Sequence, residues 1–134
     1  MRIRGLDHVQ LAMPKGREAD ARRFYVEVLG LVEVEKPEPL ASRGGCWFES
    51  ASTVVHLGVE DPFAPAKKAH PAFLVEDLEQ ARRELAKAGR PIVPDDTLPR
   101  VRRFYTADPF GNRIELIQAG DGFAEKATGG KARP

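Results

Sequence analysis

The chain has 134 residues, 42% of them hydrophobic and 31% charged, with a formal net charge of +1. This length and composition suit one globular domain with a real core and exclude a disordered or fibrous chain. The near-neutral charge excludes a whole-molecule field that would recruit nucleic acid or an acidic membrane, although Lys67, Lys68, Arg100, Arg102 and Arg103 form local basic runs. The single cysteine, Cys46, excludes an intrachain disulfide and fits a reducing cytoplasm. Met1-Arg2-Ile3-Arg4 does not lead into an apolar signal core, and no apolar run approaches about 18 residues. A soluble, cytoplasmic protein is expected, with neither nucleic acid nor membrane as partner.

Along the chain, Gly5 to Met13 reads as a strand, with Val9, Leu11 and Met13 alternating against His8, Gln10 and Ala12. Ala21, Phe24, Tyr25, Val28 and Leu29 have helical spacing and predict a helix over 18–29, ended by Gly30. Three strands follow near 31–36, 45–49 and 53–59. The order then repeats. A strand over 69–75 precedes a helix over 78–88, with Asp77 as N-cap and Gly89 as terminator. Strands near 90–94, 101–106 and 113–118 complete the second half, with Asp108-Pro109-Phe110-Gly111-Asn112 as a compact turn. Module one spans about residues 3–61 and module two about 68–119, within one domain over 1–120. Residues 121–134 read as a C-terminal tail without apolar period.

Spacing supports the repeat. His8 pairs with His70 at an offset of 62 residues, Ala21-Arg22-Arg23 with Ala81-Arg82-Arg83 at 60, and His56 with Glu115 at 59. All three histidines of the chain and Glu115 therefore occupy four repeat-equivalent positions, each expected inside a strand. Imidazole nitrogen and carboxylate oxygen suit divalent zinc, nickel, iron, manganese or cobalt. Strand parity sets each of these residues opposite its apolar neighbours, as His56 between Val55 and Leu57. His8, His70 and Glu115 are the expected metal ligands, and His56 is a fourth ligand or a general base.

The segments Gly5-Leu6-Asp7-His8-Val9, Ala21-Arg22-Arg23-Phe24-Tyr25 with Val28-Leu29-Gly30-Leu31, and Asp108-Pro109-Phe110-Gly111-Asn112-Arg113-Ile114-Glu115-Leu116 resemble the vicinal-oxygen-chelate superfamily. That group includes glyoxalase I, bleomycin-resistance proteins, fosfomycin-resistance transferases and extradiol dioxygenases. The resemblance covers about residues 3–119. It implies an α+β fold of two tandem βαβββ modules, which form a cupped eight-stranded mixed sheet with helices on the outer face. It also implies a divalent metal at His8, His70 and Glu115, a small-molecule substrate and a homodimer.

Four activities follow from the resemblance: a glyoxalase-type lyase or isomerase, an iron-dependent ring-cleaving dioxygenase, a thiol transferase acting on an epoxide antibiotic, and a sequestering protein. Glyoxalase I has a glutamate where this chain has His56. Fosfomycin transferases have a threonine where it has Gln10, and a tyrosine matching Tyr105. Bleomycin-binding members lack the metal residues, which this chain retains. His56, Tyr105 and Gln10 are accordingly the expected catalytic groups. Arg103, which shares a strand face with Tyr105, is the expected clamp for a substrate carboxylate or phosphate. Trp47 and Phe48 are candidates for the pocket wall, and parity allows only one of them inward.

Overall fold

The first half runs β1 (Val9–Met13), α1 (Glu18–Arg22), β2 (Val32–Val34), α2 (Glu38–Ala41), β3 (Cys46–Ser50) and β4 (Thr53–Val59). The second runs β5 (Ala72–Val75), α3 (Leu78–Lys87), β6 (Val93–Pro94), β7 (Arg103–Ala107) and β8 (Arg113–Gln118). In this computed structural model, which describes residues 1–125, the eight strands form two four-stranded mixed sheets. Their orders, β1-β4-β3-β2 and β5-β8-β7-β6, are the same under the repeat. In each sheet the first and fourth strands run parallel and the remaining pairs antiparallel. This is the α+β, two-module architecture expected from the sequence. By contacts the chain divides into two compact units: Met1–Lys68 with Asp108–Asn112, and Ala69–Ala107 with the segment from Arg113 onward.

The first strand of each half is shorter than expected. β1 starts at Val9, where the parallel ladder begins opposite Val55, and β5 starts at Ala72. His8 and His70 therefore stand just ahead of their strands, not inside them. For His70 the reason is Pro71, which has no N–H to give to a ladder. Its carbonyl still accepts the Glu115 N–H at 3.0 Å.

The helix expected over 18–29 is α1 continued by a π-helical segment, Arg23–Val28. The Leu29 N–H reaches the Phe24 carbonyl five residues back, at 2.9 Å. Two consecutive aromatic residues of this segment, Phe24 and Tyr25, both enter the core of the first unit. They join Leu11, Met13, Ala21, Phe48, Val55 and Leu57 there. Tyr25 stacks on Phe48 at 5.4 Å between centroids. In the second unit α3 begins as expected at Asp77, whose carboxylate accepts the Gln80 N–H at 3.0 Å. Its buried Leu85 belongs to a core with Val101, Phe104, Ile114 and Leu116. The single-turn helix α2 was not anticipated, because one turn carries no apolar period.

Gly45 makes a close approach that only glycine allows. Its φ is +84°, and a Cβ there would stand 2.1 Å from the Leu57 carbonyl oxygen, inside the β3–β4 pairing. The tail expected from residue 121 is described as far as Glu125, whose carboxylate accepts the Gly120 and Gly122 N–H groups. Residues 126–134 lie outside the described residues. No helix among the described residues is long and apolar enough to cross a membrane.

Cys46 is 1% exposed, and burial pushes its thiol up to about 11. At pH 8 the native thiol is protonated and shielded, so it should not react with a chromogenic disulfide reagent until the chain unfolds. Stoichiometric reaction in the native state within minutes would contradict this. Because the folded value exceeds the unfolded one, the stability tied to this thiol is complete below about pH 9. It is lost as pH rises through about 11.

Candidate functional site

In the first unit the relevant face belongs to β1, β3 and β4. Register sets Gln10 and Trp47 on either side of His56. The indole of Trp47 stacks on the His56 ring at 3.8 Å with only 3° between planes. His8 covers the other face of His56 at 4.3 Å and 28°. The Nδ1 of His8 is paired with the Asp7 carboxylate at 2.8 Å, which fixes the ring and leaves Nε2 as the outward nitrogen. His56 is held below its ordinary pKa by burial, then by the neighbouring His8, with Asp7 opposing. The Gln10 amide lies over Gly58, where an added Cβ would stand 2.7 Å from its Nε2. The bare glycine thus makes room for the amide two residues along the strand from His56.

The second unit repeats this layout on β5, β7 and β8. Register sets Ala72 and Tyr105 on either side of Glu115. Under the repeat, Gln10 corresponds to Ala72, Trp47 to Tyr105 and His56 to Glu115. Glu115 is 5% exposed, and its two oxygens are divided between two partners. Oε1 lies 2.9 Å from Nε2 of His70, and Oε2 accepts from Nη1 of Arg103 at 3.1 Å. Tyr105 meets the His70 ring edge to face at 5.4 Å.

Imidazole and carboxylate are donor types that suit a divalent ion. Cis ligands bound at about 2.1 Å on an octahedral ion stand about 3 Å apart. The His70 nitrogen and the Glu115 oxygen, a hydrogen-bonded pair, stand 2.9 Å apart, a separation that two such ligands would also have. Among the described residues no group of three or more His, Cys, Asp or Glu side chains is gathered for a metal. What the two units supply are pairs, His8 with His56 and His70 with Glu115.

Two expectations are corrected. Phe48 is fully buried in the core beside Tyr25, so Trp47 is the residue that faces His56. Arg103 is not a free clamp. Besides Glu115, it donates from Nη2 to Asp95 at 3.2 Å and to Thr97 at 3.4 Å. Asp95 is itself held by the Thr97 hydroxyl at 2.6 Å, and the Thr97 hydrogen bonds, more than the charges of Arg103 and Arg113, hold its carboxyl below the usual range. Arg102 points the other way, as parity required, and pairs with Asp121 at 2.8 Å. Sequence reasoning missed Asp7, Asp95, Thr97 and Arg113. For Arg113 a signal existed, since it sits two residues before Glu115 and so shares its strand face. Asp95 and Thr97 lie in a loop with no period to read.

Residues 5–116 match the family described as the Glyoxalase/Bleomycin resistance protein/Dioxygenase superfamily, and the chain belongs to it. A solved structure assigned to the glyoxalase family, from Bacillus anthracis, is 50% identical with a TM-score of 0.84, over 88% of this chain and 97% of that one. A virulence protein from Salmonella typhimurium is 25% identical with a TM-score of 0.67, over 88% and 98%. The genomically encoded fosfomycin resistance protein FosX from Listeria monocytogenes shares the fold, with a TM-score of 0.72 at 16% identity, over 93% and 99%. No curated protein matches the chain significantly.

Proposed function

We propose that this member of the glyoxalase/bleomycin resistance/dioxygenase superfamily is a metal-dependent enzyme of lyase or isomerase type. Its substrate is a small, oxygen-rich molecule. The observation that carries the reading is the 2.9 Å pair of His70 Nε2 and Glu115 Oε1, spaced as two ligands of one ion. His8 supplies the third ligand, from the same copy or from a second copy in a homodimer. Its Nε2 is free to do so because Asp7 holds Nδ1. When bound, the divalent ion acts as a Lewis acid toward chelated substrate oxygens.

The remaining roles belong to the chain. His56, fixed between Trp47 and His8, accepts the proton that leaves the substrate carbon. Gln10 and Tyr105 hydrogen-bond substrate oxygens from the positions flanking His56 and Glu115. The Trp47 indole walls the site and limits water.

Purified chain should be dialysed against zinc, nickel, iron, manganese and cobalt in turn, analysed for metal, and assayed with methylglyoxal–thiol adducts, catechols and fosfomycin. About one ion per chain and turnover of an adduct are expected. Less than a tenth of an ion with every metal would sink the reading. Iron with oxygen uptake on a catechol would move it to a ring-cleaving oxygenase, and thiol addition to fosfomycin to a transferase. In His56→Ala, loss of the base should lower turnover by about 100-fold or more with metal content unchanged. Loss of the metal itself would instead make His56 a ligand.

A further inference from the structure

We infer that Arg113 is an oxyanion-binding residue that restricts the substrate to molecules with a chelating end and a carboxylate, phosphate or phosphonate at the other. The inference rests on the reading of His70 and Glu115 as metal ligands.

Arg113 and Glu115 lie two residues apart on β8, so their side chains leave the same face of the sheet. The register confirms the face, because Arg113 is opposite Ala107 and Glu115 is opposite Tyr105 on β7. The Arg113 guanidinium lies over the Tyr105 ring, 3.8 Å from its centroid. This is a cation–π contact that fixes the plane of the fork without using its N–H groups.

The two arginines of this face differ in what they do with their donors. Arg103 gives its N–H groups to Glu115, Asp95 and Thr97. Arg113 makes no ion pair or side-chain hydrogen bond among the described residues. Arg113 is half-buried and its fork is placed by the Tyr105 ring, yet it has its N–H donors to offer. A fixed guanidinium of this kind takes an oxyanion in bidentate fashion with little further ordering cost.

Charge favours the same class. The two guanidinium groups of Arg103 and Arg113 balance the carboxylates of Asp95 and Glu115. A divalent ion on His70 and Glu115 would leave this face with two excess positive charges, which an anionic substrate neutralises. Geometry sets the size. Residues two apart on a strand are separated by about 7 Å, a distance that a compact substrate bridges from its chelating oxygens to its anionic end.

The test uses two probes that differ only at the far end. 3-Phosphoglycerate and glycerate share a vicinal hydroxyl and carboxylate, and only the first carries a phosphate. Both are titrated calorimetrically into the zinc-loaded full chain and its Arg113→Met and Arg113→Lys variants, with metal content and thermal unfolding measured on each sample. The wild type should prefer 3-phosphoglycerate by at least tenfold. Arg113→Met should abolish the preference without changing glycerate affinity, and Arg113→Lys should keep part of it. An unchanged preference in Arg113→Met, or none in the wild type, overturns the inference. Inorganic phosphate titrated into metal-free protein reads Arg113 alone, with affinity expected to fall at least fivefold in Arg113→Met. Absence of bound zinc with an intact phosphate response would fail the metal reading and leave the Arg113 subsite standing.

Discussion

Asp108→Ala should destabilise the chain by about 3–5 kcal/mol, a large part of the stability of a domain this size. Asp108 is 1% exposed and accepts at least four hydrogen bonds through its side chain among the described residues. These come from the Tyr25 hydroxyl at 2.7 Å and from the N–H groups of Phe110 and Asn112 and Nδ2 of Asn112, each at 2.9 Å. Asn112, fully buried, passes the network on. Its Nδ2 also donates to the Ala12 carbonyl at 2.8 Å, and its Oδ1 accepts the Ala66 N–H at 3.0 Å. Alanine at 108 would strand several donors where water cannot reach them. Each stranded donor costs about 1–3 kcal/mol, less what local relaxation recovers.

Tyr25→Phe is the control. It removes one donor and leaves Asp108 its other donors, so a loss of about 1 kcal/mol is expected. Burial, then the nearby Asp108, pushes the Tyr25 hydroxyl well above its ordinary pKa, which favours the protonated, donating form. Thermal melts of the three proteins test the ordering. For a chain of this length the aspartate variant should melt about 10–20 °C lower. Equal melting temperatures for the two variants would show that the Asp108 hub is not a unit.

This hub marks the limit of what the sequence discloses. Asp108-Pro109-Phe110-Gly111-Asn112 is legible as a turn, because each residue type has a local reason to be in one. That its side chains enter the first unit, where Tyr25 and Ala12 wait, is a long-range fact with no local signature. The same division holds elsewhere. Period and capping reveal α3 and the repeat, because amphipathic helices and alternating strands write their burial into consecutive residues. The π-helical segment stays hidden, since Phe24 and Tyr25 fit an α-helical pattern equally well.

At the site, parity foretold that Arg102 and Arg103 diverge. It did not foretell that Arg103 is committed to Asp95 and Glu115, because Asp95 comes from an irregular loop. The parity rule also settles Trp47 against Phe48 once one neighbour is known to be core.

Glu115→Gln should lower divalent-metal affinity by about 100-fold or more while leaving the fold intact. A ligand carboxylate contributes a full charge to the ion, and its loss should exceed the 10–100-fold effect typical of changes one shell further out. The amide is nearly isosteric. Its oxygen still accepts from Arg103, where Oε2 now stands 3.1 Å from Nη1. Glu115→Ala is a different experiment. Arg103 is only 12% exposed at its side chain, its Nε is already buried without a partner, and alanine would remove one of its two carboxylates. A cost of about 3 kcal/mol is expected there, with metal lost as well. The two variants therefore separate ligation from folding: both lose the ion, and only alanine loses substantial stability. Calorimetric titration with zinc and manganese reads the first effect, and thermal melts of the metal-free proteins read the second. Full metal affinity in Glu115→Gln would remove Glu115 from the ligand set and confine its role to pairing with Arg103.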